Sequence, residues 1–404
     1  MVLQKLIALR YGPAGVLELG QFILIQGLCY GLLTDGLNRA MMVQAGQQAT
    51  AAQRHAVLVK GGLAGLFWLF ITSGALIWAM PTLLPGMVDL ALPLAVAVGG
   101  AGWFFWVTAV LVFEGKPWAV FWLTTLQAIV LVLAGAVPSA GLGWQDASPP
   151  YDLQARLLLL GAGQAMLALA AGAWYLLHYH RQAGPGWRAA TGLLKPLGAF
   201  GVFSLAVMLA GRGADMALRA YAMDLGLYEP MGYFQAAVRL GDIMLVPFTS
   251  LFAGLFFAQA TQVAVADLRQ ALGHQLRLAW IGVGMAALLW ATSPWVLPML
   301  NRADFTAAVP YFARQVPGDM LRILTLPISV ALMAAGRLRA LAWLEGLSLL
   351  VYLLAAAGLG SWLGPLGLSW AHTARYVIFG AATCWAARDL LPFALPGQQP
   401  SAHG

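Results

Sequence analysis

Charged residues are scarce in this chain. Only 9% of its 404 residues are Asp, Glu, Lys or Arg, whereas 61% are hydrophobic and the mean hydropathy is +0.78. A soluble globular domain carries about 25% charged residues, so this chain could not cover its apolar surface in water. The apolar runs also exceed the roughly ten residues of a membrane barrel strand. We therefore predict an all-α polytopic membrane protein, because lipid forces each backbone polar group to be bonded within its own helix.

Cysteine is rare, and the common catalytic and nucleotide-binding patterns are missing. Cys29 and Cys384 both lie in apolar segments, where we expect them to pack as small apolar residues rather than form a disulfide or a metal site. The sequence contains no GxxxxGK[ST] motif for ATP and no Ser-His-Asp or HExxH arrangement. The net charge of +7 is modest and comes without a basic tract. We predict no catalytic residue, no metal, no cofactor and no nucleic-acid partner.

Eleven apolar segments are long enough to cross a bilayer, which takes about 20 residues. They lie near 14–36, 59–83, 89–113, 117–137, 154–178, 196–218, 233–259, 275–298, 317–336, 340–362 and 367–388. Residues 1–10 look like the end of a further helix, so we expect twelve helices, the first of them truncated.

The longest connection on one side contains Gly184, Pro185 and Gly186, which punctuate the chain. Two six-helix halves are typical of transporters built from repeats. The predicted organisation is an N-terminal lobe (helices 1–6) over 1–180, a cytoplasmic linker over 181–195, a C-terminal lobe (helices 7–12) over 196–390 and a cytoplasmic tail over 391–404. The tail is assigned to the cytoplasm because the connections on that side hold more Lys and Arg.

Ionisable residues interrupt several predicted spans, mostly in the second half. Such residues at membrane depth are costly and by default indicate a functional site. The basic residues are Arg212, Arg219, Arg239, Arg322 and Arg375, and the acidic residues are Asp35, Asp215, Asp242, Asp319 and Glu345. Guanidinium groups suit bidentate phosphate binding. The pattern predicts a water-filled cavity in which the arginines bind an anionic head group and the acidic side chains tune the cavity or couple it to an ion.

A simpler interpretation of the same charges is that they neutralise one another and only pack helices together. A spacing of three or four residues places two side chains on one helix face. Three pairs have that spacing: Asp215 with Arg219, Arg239 with Asp242, and Asp319 with Arg322. The sequence leaves both interpretations open.

Three groups of residues carry a resemblance to a known family. They are Gly12–Gly15 followed by Gly20–Phe22; Arg219 ahead of Gly232–Gln235 and Asp242; and Gly318-Asp319 with Arg322, followed by Glu345. Together they resemble the Wzx-type flippases for O-antigen and enterobacterial common antigen (lipid III), in the polysaccharide exporter branch of the MOP superfamily. Members of that family begin with a full first helix, whereas only ten residues up to Arg10 precede the first spans here.

The resemblance implies two six-helix lobes around a central cavity, as in MATE transporters. It implies transfer of undecaprenyl-diphosphate-linked oligosaccharide to the periplasmic leaflet of the bacterial inner membrane by alternating access. Arg219 and Arg322 match the family's cationic cavity positions, and Asp242, Asp319 and Glu345 match its acidic ones. The implied partners are this substrate, membrane lipid, H⁺ or Na⁺ as coupling ion, and polysaccharide polymerase or chain-length proteins.

Two other functions remain open. A MATE-like drug or cation antiporter would favour a net acidic cavity, and the excess of arginines in the spans argues against it. A membrane polysaccharide polymerase or ligase would need reactive residues in a sizeable outer loop. The longest outer loops, about 138–153 and 299–316, are short and lack a convincing acid/base set.

Overall fold

The structure is a computed structural model, and it describes residues 2–31, 36–46, 48, 50–83, 91–136, 161–175, 177, 207–261 and 265–391. These residues are almost entirely helical, and no strand occurs among them. They belong to two compact units, Met1–Met216 and Ala217–Gly404. The linker predicted over 181–195 lies outside the described ranges, so the predicted lobe boundaries stay a prediction.

The described part of the first unit consists of helices. They are α1 (Val2–Gly31), α2 (Asn38–Gly46), α3 (Ala51–Leu83), α4 (Ala91–Phe113), α5 (Pro117–Ala136) and α6 (161–175). A π-helical turn, Leu209–Gly213, follows later and packs against α1.

The first helix is interrupted at Gly12. Its φ of 64° and ψ of −156° are outside the helical region and suit glycine, which has no Cβ to clash there. Pro13 then begins the second helical piece, a position where its missing N–H costs nothing. Residues 2–11 and 13–31 are therefore separate helical pieces, as the sequence predicts for residues 1–10.

Aromatic side chains fill the core of the first unit. Trp103 and Trp106 stack with ring centroids 4.3 Å apart, and Trp106 meets Tyr175 edge to face at 5.4 Å. Gly62 of α3 and Gly172 of α6 make room for the indoles, because a Cβ on either glycine would overlap a tryptophan ring. The large rings and small residues interdigitate, as close packing of a core requires.

The second unit is built around one buried helix. Its helices are α7 (Ala214–Asp224), whose first three residues belong to the first unit, α8 (Tyr228–Thr249), α9 (Val265–Leu300), α10 (Val309–Ala334), α11 (Leu338–Leu363) and α12 (Leu366–Ala386). The π-helical turn Ser250–Phe256 and the short helix Phe257–Ala260 follow α8, and the 3₁₀ helix Ala303–Ala308 precedes α10. Helices α8, α9 and α12 all pack on α10, and α11 packs on α12.

Six helices in the described ranges are long and apolar enough to cross a membrane. Their outer faces carry large apolar side chains such as Trp343, Leu354 and Trp362 of α11, all highly exposed. Such faces need lipid around them, because exposed apolar surface on this scale is rare in soluble monomers. The chain is a multi-pass membrane protein, as its composition predicts.

Candidate functional site

A carboxylate lies at the centre of the second unit. Asp319 of α10 is completely buried, at 0% exposure. Its Oδ1 lies 2.9 Å from Nε2 of His372 on α12, and its Oδ2 accepts a hydrogen bond of 3.1 Å from the Gln315 side chain. A buried charge is stable only when it is paired and hydrogen-bonded. Asp319 meets that condition through a histidine and an amide.

Arg322 lies one helical turn beyond Asp319 but forms no ion pair within the described part of the chain. Its Cζ instead lies 5.7 Å from the centre of the Tyr376 ring on α12, which is within cation–π range. Asp242, Asp319 and Glu345 interact with it electrostatically at longer range. The ring contact restrains the guanidinium, and no described residue accepts a hydrogen bond from it.

Arg375 of α12 is more closely paired. Its Nη2 lies 3.5 Å from Oε2 of Glu345 on α11. Its Cζ also lies 5.5 Å from the centre of the Tyr376 ring and 5.7 Å from that of Tyr352. Tyr376 thus stands between two guanidinium groups, those of Arg322 and Arg375.

Arg239 and Asp242 of α8 approach each other along one helix face. Their closest charged atoms are 4.0 Å apart, at the outer limit of an ion pair. Asp242 is the more exposed of the two side chains. Of the three pairs predicted from spacing, this is the one whose members contact each other as ions in the described residues.

Arg219 of α7 is buried, and no described acidic side chain forms an ion pair with it. Its side chain is 5% exposed, and its Nε and Nη1 atoms have no hydrogen-bond partner among the described residues. It does not pair with Asp215, four residues earlier. An unpaired buried charge is among the most costly groups in a fold, and a guanidinium group in this state has the chemistry to bind an anion.

The remaining predicted residues lie elsewhere. Arg212 and Asp215 belong to the first unit, where the guanidinium of Arg212 covers Gly27 of α1 so closely that a Cβ there would overlap it. Asp35 lies outside the described residues.

The structure thus brings six predicted residues together within the second unit. They are Arg239, Asp242, Asp319, Arg322, Glu345 and Arg375, called the charged cluster below. Three guanidinium groups face three carboxylates, so its formal charge balances. Arg219 is an additional cation of the same unit.

Three residues of this region, Gln315, His372 and Tyr376, escaped sequence reasoning. His372 and Tyr376 share a face of α12 because they are four residues apart, and their rings lie 4.9 Å apart. A histidine three residues ahead of Arg375 in an apolar span is a signal that could have identified this face.

Comparison with known proteins gives the fold. No protein-family model and no curated protein matches the sequence. A solved MATE transporter in complex with MaL6 superposes with a TM-score of 0.74 at 15% identity, over 96% of this chain and 93% of that one. The MATE multidrug transporter DinF-BH, solved as a complex, superposes with a TM-score of 0.69 at 16% identity, over 98% of this chain and 92% of that one.

This chain is also similar in fold to a solved flippase. The lipid II flippase MurJ, in its inward closed conformation, superposes with a TM-score of 0.61 at 12% identity, over 96% of this chain and 84% of that one. Identities this low establish the fold and leave the substrate open. The chain has the all-helical fold of the MATE transporters of the MOP superfamily.

Proposed function

We propose that this protein is a flippase that moves undecaprenyl-diphosphate-linked oligosaccharide, an O-antigen or similar repeat unit, from the cytoplasmic to the periplasmic leaflet. The observation that carries the proposal is Arg219, a buried guanidinium with two donor nitrogens that have no acceptor among the described residues. A diphosphate supplies the missing acceptors and the missing negative charge, because guanidinium groups bind phosphate oxygens in a bidentate manner.

Arg322 is the second diphosphate ligand in this proposal. The face of Tyr376 restrains its guanidinium without using its N–H donors, so the group is pre-oriented for an incoming anion. Arg239 and Arg375 each have a carboxylate nearby, Asp242 and Glu345. They supply longer-range attraction to the head group, and the carboxylates keep the site from binding anions too tightly to release them.

Transport proceeds by alternating access. The head group passes through the protein, while the polyprenyl tail remains in lipid. We assign no ATP site, so an H⁺ or Na⁺ gradient, or consumption of the flipped product outside, supplies the driving force. The protein resides in the bacterial inner membrane with its C-terminus in the cytoplasm, beside the polymerase and chain-length proteins that use its product.

The alternative is a drug or cation antiporter, which the likeness to the MATE multidrug transporter DinF-BH favours. A cationic drug would have to approach Arg219, whose charge no described residue neutralises. Like charges repel strongly in a low-dielectric site. The unpaired arginine therefore favours an anionic cargo.

The test is complementation of a flippase-null strain by Arg219→Ala, Arg322→Ala and a control, Arg339→Ala. Arg339 is an exposed arginine at the start of α11. A charged hydrogen bond contributes about 1.5–3 kcal/mol, so each site variant should reduce surface polysaccharide roughly 10- to 100-fold at matched protein level, and the control should not. Full restoration by both site variants would exclude the diphosphate role.

A second measurement separates the two candidate functions. A short-chain prenyl diphosphate carrying N-acetylglucosamine should bind the purified chain and lose affinity in Arg219→Ala. A cationic dye should bind no more weakly to that variant than to the unchanged chain. Binding of the dye by the unchanged chain, with no binding of the diphosphate probe, would favour the antiporter.

A further inference from the structure

Three exposed tryptophans of the second unit each have an exposed arginine three or four residues away. Trp280, Trp343 and Trp385 are 62%, 82% and 70% exposed. A spacing of three or four residues places two side chains on one face of a helix. The pairs are Arg277 with Trp280 on α9, Arg339 with Trp343 on α11, and Trp385 of α12 with Arg388. The third pair is in direct contact, because Cζ of Arg388 lies 5.2 Å from the centre of the Trp385 ring.

The three pairs lie toward one end of the unit, where α9 and α11 begin and α12 ends. Arg337, just before α11, donates to the Asp389 carboxylate and to the carbonyl of Ala386. Arg269 of α9 donates from Nε to the carbonyl of Leu391 at 2.9 Å. These hydrogen bonds hold the starts of α9 and α11 against the end of α12. The surface formed by the three pairs is called the arginine–tryptophan surface below.

The arginines of this surface are not neutralised by the protein. None of the three forms an ion pair with an acidic side chain in the described ranges, whereas their neighbour Arg337 pairs with Asp389. Five arginines and only two aspartates occur among the described residues of this end, 265–277, 335–339 and 386–391. The end therefore carries a net positive charge.

Exposed tryptophans also occur at the opposite end of the unit, but without arginines beside them. Trp295 of α9 and Trp362 of α11 are 71% and 84% exposed, and neither has an arginine or lysine within four residues. Arg302 at that end bonds Asp304 through two of its nitrogens. Interfacial tryptophans are expected at both ends of a membrane span, so the arginines are what distinguishes the first end.

Lipid is the partner that meets this surface. Trp280 and Trp343 lie in helices that are long and apolar enough to cross a membrane. A tryptophan ring at head-group level keeps its apolar body in the lipid and its N–H near water. Arg277 lies about 12 Å beyond Arg269 along α9, and its long side chain can extend back toward the head groups. There the arginines meet phosphate, which guanidinium groups bind in a bidentate manner.

We propose that the arginine–tryptophan surface binds the head groups of anionic phospholipids in preference to those of zwitterionic ones. Both kinds of lipid carry phosphate, but a zwitterionic head group also carries an ammonium group, which the excess of arginines repels. Basic residues beside a membrane attract anionic lipids for the same electrostatic reason. None of the six residues belongs to the charged cluster, so the proposal does not depend on the cargo.

The test measures which lipid contacts these tryptophans in the full-length protein. Bilayers contain equal parts of phosphatidylglycerol and phosphatidylcholine, and one of the two lipids carries brominated acyl chains, which quench the fluorescence of a tryptophan in contact with them. The quenching that is lost in Trp343→Phe or Trp385→Phe belongs to that residue. We expect brominated phosphatidylglycerol to quench both residues more than brominated phosphatidylcholine does. The control is Trp362→Phe at the opposite end of α11, which should reveal equal quenching by the two lipids.

Removal of the arginines should remove the preference. We expect the affinity for phosphatidylglycerol relative to phosphatidylcholine to fall roughly fivefold for each replacement among Arg277→Gln, Arg339→Gln and Arg388→Gln. In about 1 M salt, where the Debye length is about 3 Å, the preference should also fall. Arg54→Gln is the matched control, because Arg54 is an exposed arginine near the start of α3 with no tryptophan within four residues. It should leave the preference unchanged.

Equal quenching of Trp343 and Trp385 by the two brominated lipids would overturn the proposal and assign the surface to lipid of either kind or to a protein partner. An equal loss of preference in Arg54→Gln would overturn it as well, because net charge alone would then suffice. All the replaced side chains are exposed, so the unfolding midpoint should not change, and it verifies that each variant is folded.

Discussion

Gly241 of α8 faces Asp319 of α10 so closely that a side chain at the glycine would displace the carboxylate. A Cβ on Gly241 would lie 2.6 Å from Oδ2 of Asp319 and 2.9 Å from Nε2 of Gln315. The glycine therefore permits α8 to pack on the one helix that holds the buried carboxylate. Three helices, α8, α10 and α12, thus converge on Asp319.

Gly241→Ala should destabilise the protein because the methyl group overpacks the contact with Asp319. Overpacking of this kind costs about 1–3 kcal/mol. Gly284→Ala is the control, since a Cβ at that exposed position of α9 would meet nothing within 4 Å. Thermal unfolding in detergent should show a lower midpoint for the first variant only. Equal unfolding midpoints for the two variants would mean that α8 can move away from α10 without a loss of stability.

Tyr376→Leu should weaken diphosphate binding, and Tyr376→Phe should largely preserve it. The Cζ atoms of Arg322 and Arg375 lie 5.7 and 5.5 Å from the centre of the Tyr376 ring. A cation–π contact contributes about 0.5–2 kcal/mol, so we expect a loss of affinity between about twofold and 30-fold in the leucine variant. Direct binding of the prenyl diphosphate probe measures it. A phenylalanine variant as weak as the leucine variant would point to the hydroxyl instead.

Gly27→Ala and Arg212→Ala should be non-additive in the first unit. An alanine at position 27 collides with the Arg212 guanidinium, and removing that side chain relieves the collision. The double variant should therefore be more stable than the sum of the two single effects, by about 0.5–3 kcal/mol, as neighbouring sites typically show. Unfolding midpoints of the four proteins give the coupling. Additive effects would place the arginine away from α1.

The bond between Arg337 and Asp389 predicts a dependence of stability on pH. Arg337 donates to the carboxylate, with Nη1 and Oδ1 2.8 Å apart, and this hydrogen bond lowers the pKa of Asp389. A carboxyl whose folded pKa is lowered stabilises the fold above its unfolded pKa, and this stabilisation is lost as pH falls through the folded value. Asp389→Asn should therefore be less stable than the unchanged chain at pH 7. The difference should begin to shrink near the unfolded pKa of about 4 and disappear as pH falls through the lower folded pKa.

The size of this effect is limited by exposure. Both side chains are more than a third exposed, and surface ion pairs contribute about 0–1 kcal/mol. Unfolding midpoints of the two proteins across the pH range measure it, with Asp267→Asn as a control at an exposed site of α9. A difference that persists at low pH would show that the asparagine acts through packing rather than charge.

Composition and apolar run length were enough to predict the helical membrane fold, because both follow from the cost of polar groups in lipid. Of the three pairs that the spacing of ionisable residues predicted, Arg239 with Asp242 is the one whose members contact each other as ions among the described residues. The spacing could not indicate the partners of Asp319. Spacing along α10 favours Arg322, whereas the close approach of α12 at Gly318 provides His372. Contacts between helices far apart in sequence decide such pairings.

Arg219 provides the last prediction, since it distinguishes function from stability. Its Nε and Nη1 atoms are buried without partners among the described residues. An uncompensated buried charge is strongly destabilising, so an apolar side chain of similar size should relieve that cost. Arg219→Met should therefore keep or raise the unfolding midpoint while it weakens diphosphate binding roughly 10- to 100-fold. Arg337→Met should lower the midpoint, because that guanidinium bonds both Asp389 and the carbonyl of Ala386. A loss of stability in Arg219→Met, with binding intact, would make the arginine a structural residue instead of a ligand.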